Sequence, residues 1–360
     1  MNKRKLFILV LVIFCTKSFS QEIPKDTTKN LDITAFPIVF YTPETDFGFG
    51  GLGVATFWLK NELHTSRPSS VQLGISYTTK KQFLGYFPFE LYANDEKWRL
   101  VGELGFYKYV YNYFGQGIDS SKEAVETFDV SFPRVRLSLL REVYANFSVG
   151  LSYELDDFKN LKSQANGILE TSDAIGKTGG AVSNIGILAF YDTRDNIFYP
   201  TKGFFLQASY YVSSELLGSS FQYSKYQLDN RYYQKVGEKQ VLATNLFFGS
   251  GTDGMPFLDQ FFIGGKRTRG FSPRRYQDNA ELSFVVEYRF PIVGRFGGVA
   301  FGATATVAPT LEEVFSSPYK NAGGVGLRYI INKRDGVRIR ADYGYSKEGG
   351  NFSFTIKEAF

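Results

Sequence analysis

The segment ELSFVVEYRFPI, residues 281–292, constrains this chain more than any other feature. In an extended backbone, Leu282, Phe284, Val286, Tyr288, Phe290 and Ile292 share one face, and Glu281, Ser283, Val285, Glu287 and Arg289 share the other. VRIRADYGYS repeats the pattern: Val337, Ile339, Ala341, Tyr343 and Tyr345 oppose Arg338, Arg340, Asp342, Gly344 and Ser346. A period of two is the signature of a strand, whose successive side chains point to opposite faces. A soluble sandwich would show the same alternation with its apolar face turned inward. Arginines and acids packed densely on one face, with bulky aromatics on the other, favour a wall between lipid and a wet lumen. Such a wall satisfies every backbone group between strands, which lipid requires of any spanning structure.

The beginning of the chain fits export. Lys3, Arg4 and Lys5 precede the apolar run Leu6 to Cys15, and Ser18-Phe19-Ser20 supplies a small-x-small site before Gln21. This reads as a secretory signal peptide over residues 1–20, too short to span a membrane as a helix. Val12-Ile13-Phe14 before Cys15 lacks the small residues of a lipid-attachment site. Removing residues 1–20 takes four basic residues and no acid from a formal charge of +5, leaving +1. The basic balance therefore belongs largely to the export signal, and a nucleic-acid partner is not expected, since phosphate neutralisation needs a lasting positive excess.

After residue 20 no apolar run of helix length occurs, while Tyr (24) and Phe (36) are abundant beside 36 glycines. Strand-like runs fall near 31–42, 46–60, 69–79, 82–93, 96–109, 127–141, 144–156, 180–192, 203–213, 219–235, 239–250, 281–292, 297–307, 322–331, 336–346 and 351–360. The expected fold is all-β: a transmembrane antiparallel barrel of 16 strands over residues 31–360, preceded by a short periplasmic segment, 21–30. The irregular stretches 157–179 and 251–280 are the candidate extracellular loops.

Several motifs have plain explanations. Gly48, Gly50 and Gly53 match a dinucleotide fingerprint, but VATFWLK follows and continues a strand instead of opening a helix. His64, the only histidine, sits in the turn-like NELHTSRPSS, and no G-x-S-x-G elbow occurs. With one His and the lone Cys15 inside the signal, neither a transition-metal site, a cofactor nor an enzyme activity is expected. Calcium ligation by Asp192, Asp195 and Asn196 is conceivable, but Arg194 among them argues against it.

YDTRDNIFYPTKGFF, residues 191–205, can be read as a turn from local physics alone, yet that leaves the spacing of Asp192, Arg194, Asp195, Asn196, Pro200 and Gly203 unexplained. The spacing resembles the Asp-Arg…Pro-x-x-Gly turn of the BamA/TamA outer-membrane assembly superfamily, also called the bacterial surface antigen family. FLDQFFIGGKRTRGF resembles that family's signature Phe-x-x-Gly-Gly…Val-Arg-Gly-Phe/Tyr, and SFVVEYRFPI resembles the strand that follows it. Phe352, Phe354, Ile356 and Phe360 resemble the terminal aromatic signal by which outer-membrane barrels are recognised for insertion, with an atypical Glu358 among them.

The resemblance implies that the loop of Gly264, Gly265, Arg269, Gly270 and Phe271 folds into the lumen, with Arg269 pairing to Glu287. Thr268 stands where the family usually has Val. In VAFGATATVA, Ala303 and Ala305 replace the family's Asp and Gly, which leaves Asp342 as the candidate second acid. Lys266, Arg267, Arg274 and Arg275 have no assigned partner and are expected to be solvated. Only QEIPKDTTKN separates the signal from the first strand, so a barrel-only member without periplasmic POTRA domains is expected. Residence in the outer membrane is implied, with a role in insertion or translocation of proteins or lipids. The alternative is a passive or ligand-specific channel, or a structural barrel, plugged by the Arg269 loop. The implied partners are outer-membrane lipid, the barrel assembly machinery for the chain's own insertion, and a periplasmic partner protein.

Overall fold

A computed structural model describes residues 31–42, 46–59, 66–121, 123–332, 336–356 and 358–360. The expected signal peptide with Cys15, the 21–30 segment and His64 lie outside the described residues. No helix among the described residues is long and apolar enough to cross a membrane.

The strands are β1 Leu31–Thr42, β2 Asp46–Phe57, β3 Ser69–Thr78, β4 Phe83–Ala93, β5 Trp98–Tyr113 and β6 Glu126–Tyr144. There follow β7 Phe147–Lys162, β8 Gly180–Asp192, β9 Gly203–Ser213, β10 Tyr223–Lys235, β11 Val241–Gly251, β12 Phe261–Ile263 and β13 Tyr276–Asp278. The last five are β14 Ala280–Val293, β15 Phe296–Ala308, β16 Lys320–Asn332, β17 Val337–Ser346 and β18 Gly349–Ile356. Sixteen of them form one antiparallel sheet in sequence order, and β12 and β13 form a separate two-stranded hairpin. All sixteen expected strands are present. The hairpin was not foreseen, because three-residue strands inside a loop carry no readable alternation.

Inward and outward faces differ as the alternation predicts. Along β14, Glu281, Ser283, Val285, Glu287 and Arg289 are buried, while Phe284 and Tyr288 are 41% and 40% exposed. Leu151 and Ile187, outward-facing on β7 and β8, are about three-fifths exposed. The sheet curls so that residues far apart in strand order meet inside it: Lys225 of β10 lies 3.4 Å from Glu154 of β7, and Phe360 packs beside Tyr233 of β10. Among the described residues no ladder joins β1 to β18. The glycine-rich motif at Gly48, Gly50 and Gly53 lies within β2, paired on both sides.

The longer connections 114–125, 163–179, 214–222, 252–279 and 309–319 gather at one end of the barrel. The other end is closed mostly by short turns, among them 94–97, 145–146 and 294–295. At the long-loop end the interior is filled with apolar side chains, among them Phe128, Phe132 and Phe158 from the wall and Met255, Phe257 and Phe261 from the 252–279 loop. Edge-on rings at 5.5 Å between Phe257 and both Tyr113 and Phe128 tie that loop to the wall. Edge-to-face aromatic pairs of this kind are worth about 0.5–1.5 kcal/mol each beyond the area they bury.

The last strand departs from expectation. β18 stops at Ile356 instead of running to residue 360. Phe352 and Phe354 face outward, 43% and 47% exposed, whereas Phe360 is 6% exposed and lies inside the barrel. It therefore does not extend the outward row with Phe352 and Phe354. The parity of β18 supplies the reason. Phe352 pairs with Tyr343, and Phe354 with Ala341, on the outer face, so two further residues of strand would turn Glu358 outward as well. The chain turns in instead, and Glu358 Oε2 accepts from Arg328 Nε at 2.7 Å.

Candidate functional site

The 252–279 loop enters the barrel as the β12–β13 hairpin, registered Phe261 with Asp278, Phe262 with Gln277 and Ile263 with Tyr276. Its tip is the glycine- and arginine-rich stretch 264–275. Gly264 and Gly265 take φ of 116° and 75°, a region that a side chain disfavours. Thr268 Oγ1 accepts from the Gly264 N–H at 2.6 Å and donates to its carbonyl at 3.2 Å. The hydroxyl thus closes the turn, which a Val at this position could not do.

Arg269 is 3% exposed. Its Nη1 donates to Asp342 Oδ2 at 2.7 Å and its Nη2 donates to Glu287 Oε2. The guanidinium carbon lies 3.7 Å from the centre of the Phe301 ring. One planar fork therefore bridges β14 to β17 across the lumen while stacking on β15, an arrangement suited to guanidinium and not to ammonium. Both acids expected of the site are engaged, and Asp342 takes the place left by Ala303.

Two arginines extend the clamp. Arg289 Nε donates to Glu287 Oε1 at 2.7 Å. Arg328 Nη1 donates to Asp342 Oδ1 at 2.5 Å. Arg340 Nε stands 3.4 Å from Asp342 Oδ2 without a hydrogen bond. Neither Arg289 nor Arg328 was singled out from the sequence as part of the site. Parity could have found them: Arg289 shares the inward row with Glu287, and Arg328 alternates with the exposed Val325 and Leu327.

Gly270 brings the loop backbone onto the wall. Its φ is 100°, and a Cβ there would stand 2.9 Å from Ala322 Cβ and 3.1 Å from the Tyr345 nitrogen. Across from it, a Cβ on Gly344 would stand 2.6 Å from the Gly270 nitrogen. Two glycines thus allow backbone to approach backbone at this point. Phe271 fills a pocket of Ile118, Ile263, Tyr276, Ala305 and Val307, and its carbonyl accepts from Asn351 Nδ2 at 3.2 Å. Ala305, a departure from the family pattern, is a wall of that pocket.

Three of the four basic residues expected to be solvated are bonded. Arg267 donates to Glu281 at 2.6 Å and lies over Phe247. Arg274 donates to the Leu258 carbonyl at 2.7 Å, and Arg275 pairs with Glu348 at 2.9 Å. The hairpin folds back on itself and against the β17–β18 turn, so partners distant in sequence become neighbours. Lys266, at the tip, is exposed. It lines a lumenal cavity of about 420 Å³ together with Lys225, Arg231, Arg267, Ala359 and Phe360.

The turn of residues 192–203 forms a second knot. Asp192 receives Nε and Nη2 of Arg194, both at 2.8 Å, and Arg67 Nη1 at 2.8 Å. Asp195 accepts from the Thr201 N–H at 2.8 Å, and Asn196 Oδ1 from the N–H groups of Phe198 and Tyr199 at 2.7 and 2.8 Å. Gly203, at φ 110°, is required because a Cβ there would strike the Thr193 carbonyl. The side-chain oxygens of Asp192, Asp195 and Asn196 thus accept hydrogen bonds that fold the turn. The Pro200 carbonyl accepts from Arg289 Nη1 at 3.2 Å, which joins this knot to the Arg269 clamp.

BamA from Haemophilus ducreyi lacking POTRA domains 1–3 is similar in structure, with a TM-score of 0.54, 16% identity, and coverage of 91% of this chain and 69% of that one. CdiB from Acinetobacter baumannii gives a TM-score of 0.56 at 12% identity, covering 91% of this chain and 60% of that one. CdiB from Escherichia coli gives 0.61 at 10% identity, covering 93% and 62%. At such identities these likenesses show the fold alone, and the chain spans about three-fifths of the length of each CdiB. No curated protein sequence matches. The profile of the Omp85 superfamily domain matches residues 62–360, which takes in the turn, the lumenal loop and its anchors, and the chain belongs to the Omp85 superfamily.

Proposed function

We propose that this chain resides in an outer membrane and acts there in the insertion or translocation of proteins or lipids. The observation that carries the reading is the buried bridge from Arg269 to Glu287 and Asp342. It fixes a long loop inside the barrel by charge pairs instead of leaving an open pore. The exposed aliphatic and aromatic outer face fits lipid, and the gathering of long loops at one end fits the usual asymmetry of such barrels. The short-turn end, where β1 begins and β18 stops, is then periplasmic, and a periplasmic partner protein would meet the barrel there.

A plugged channel is the second reading, supported by the apolar filling of the long-loop end. Deleting the gene and quantifying the other outer-membrane barrels and the surface lipids separates the two. A fall in either class by several-fold supports the insertion or translocation role. Unchanged levels, with ion conductance appearing in purified Arg269→Ala protein, assign the chain to the plugged channels.

A further inference from the structure

Lys266 and Arg340 stand apart from the paired charges of the lumen. In the cavity of about 420 Å³ between the loop tip and the wall, Lys225 pairs with Asp259 at 2.7 Å, Arg231 with Asp229 at 2.5 Å and Arg267 with Glu281 at 2.6 Å. Lys266 lines the same cavity, is exposed, and makes no hydrogen bond or ion pair among the described residues. The clamp behind it is short of acid: Arg269, Arg289, Arg328 and Arg340 share Glu287, Asp342 and Glu358. Arg340 is the surplus cation. It is 0% exposed, and none of its three guanidinium nitrogens has a hydrogen-bond partner. Its charge bears on Lys266, opposed by that of Glu103. Glu103 is itself engaged, accepting from the Tyr107 hydroxyl at 2.6 Å and lying 3.7 Å from Arg134. A buried cation without a hydrogen bond is costly, and its retention calls for a compensating group.

We propose that this cavity binds a phosphate group, with Lys266 as its contact and Arg340 as the buried charge behind it. Two unmatched positive charges suit a divalent anion, and a phosphate monoester carries about −1.5 to −2 at neutral pH. A carboxylate would compensate only one of them. The hydrogen bonds of Arg267 use Nε and Nη2, towards Ser283 and Glu281, which leaves its Nη1 as a second donor beside Lys266. An ammonium on a flexible stem and one guanidinium nitrogen together can hold two phosphate oxygens. Phe247 and Phe261 line the same cavity, so it offers apolar surface to an organic group that carries the phosphate. That group is either a phosphorylated lipid headgroup or absent, the ligand then being free phosphate. Binding here requires neither insertion activity nor an open channel.

The test titrates the purified protein, in a neutral detergent, with inorganic phosphate and separately with glucosamine 1-phosphate as a headgroup fragment. Binding is read from the broadening of the ligand's phosphorus NMR line. Saturable binding is expected, weakened about tenfold by Lys266→Ala, the effect of losing one charge-assisted hydrogen bond. Lys202→Ala, an exposed lysine of the 192–203 turn outside the cavity, should leave it unchanged. Arg340→Met should weaken binding while leaving the phosphate-free melting temperature equal or higher, because it removes an uncompensated buried charge. An arginine kept only for structure would show the reverse, lower stability with unchanged binding, and would overturn its part in the site. Tighter binding of the sugar phosphate assigns the site to a headgroup, and equal or weaker binding assigns it to the free ion. Absence of saturable binding of both ligands to folded protein, or equal binding by the parent and Lys266→Ala, overturns the proposal.

Discussion

Arg289 donates to the Pro200 carbonyl at 3.2 Å while its Nε holds Glu287 at 2.7 Å, so one side chain joins the turn of residues 192–203 to the carboxylate that grips Arg269. Turn and loop are far apart in sequence and meet only because both point into the same narrow lumen.

That contact makes the two knots energetically interdependent. Arg269→Met and Arg289→Met share Glu287, and residues in one ion-pair network show interaction energies of about 0.5–3 kcal/mol. A double-mutant cycle on unfolding of the purified barrel should give a coupling in that range. Additivity to within about 0.3 kcal/mol would separate the turn from the clamp.

Removing Arg269 leaves two buried acids with reduced compensation. Breaking a buried pair from one side costs about 3–5 kcal/mol. Arg269→Ala should lower stability by that order, and Arg269→Lys should recover only part of it, because one ammonium cannot present a fork to Glu287 and Asp342 together. Equal stability of the Lys variant and the parent protein would show that charge alone suffices.

Much of this was legible in the sequence, for physical reasons. A wall that separates a polar lumen from an apolar exterior must alternate, so sixteen strands, the inward places of Glu287 and Asp342, and the outward place of Phe354 could be read residue by residue. What escaped were features set by distant partners. Arg275 finds Glu348, and Arg274 finds the Leu258 carbonyl, only after the hairpin has folded. The aromatic spacing alone carries the row of Phe352 and Phe354 on to Phe360, whereas the parity of Glu358 does not, and Phe360 lies inside at 6% exposure. That one acid on an outward row was the signal that the strand would end early.

The close approach of Gly270 to Gly344 predicts a steric effect without loss of charge. Gly344→Ala should push the loop from the wall, since its Cβ would stand 2.6 Å from the Gly270 nitrogen. Limited proteolysis within residues 264–275 should accelerate about tenfold in Gly344→Ala and little in Gly302→Ala, where a Cβ meets nothing within 4 Å. Equal rates would remove this contact from the account.

Asp278 stands opposite Phe261 at the open end of the β12–β13 hairpin. Burial pushes its carboxyl up from the usual 3.8 to about 6, opposed by the hydrogen bond from the Asn279 N–H. The folded hairpin thus holds the proton more tightly than the open one. Its stability is full below about pH 4 and falls as pH rises through about 6, by up to roughly 3 kcal/mol at 1.36 kcal/mol per pH unit. Hydrogen exchange of the hairpin amides, corrected for intrinsic rates, should show more protection at pH 4.5 than at pH 7.5. Asp278→Asn should abolish the difference, and an unchanged slope in that variant would assign it to another group.

The central claim is that this barrel works on other molecules at the outer membrane. The most direct measurement locks it shut: cysteines placed in β1 and β18 are joined by a disulfide in cells whose only copy carries them, and the other outer-membrane barrels and surface lipids are quantified. The account predicts a several-fold fall of at least one class in the locked cells, restored on reduction. Unchanged levels in fully locked cells would contradict it.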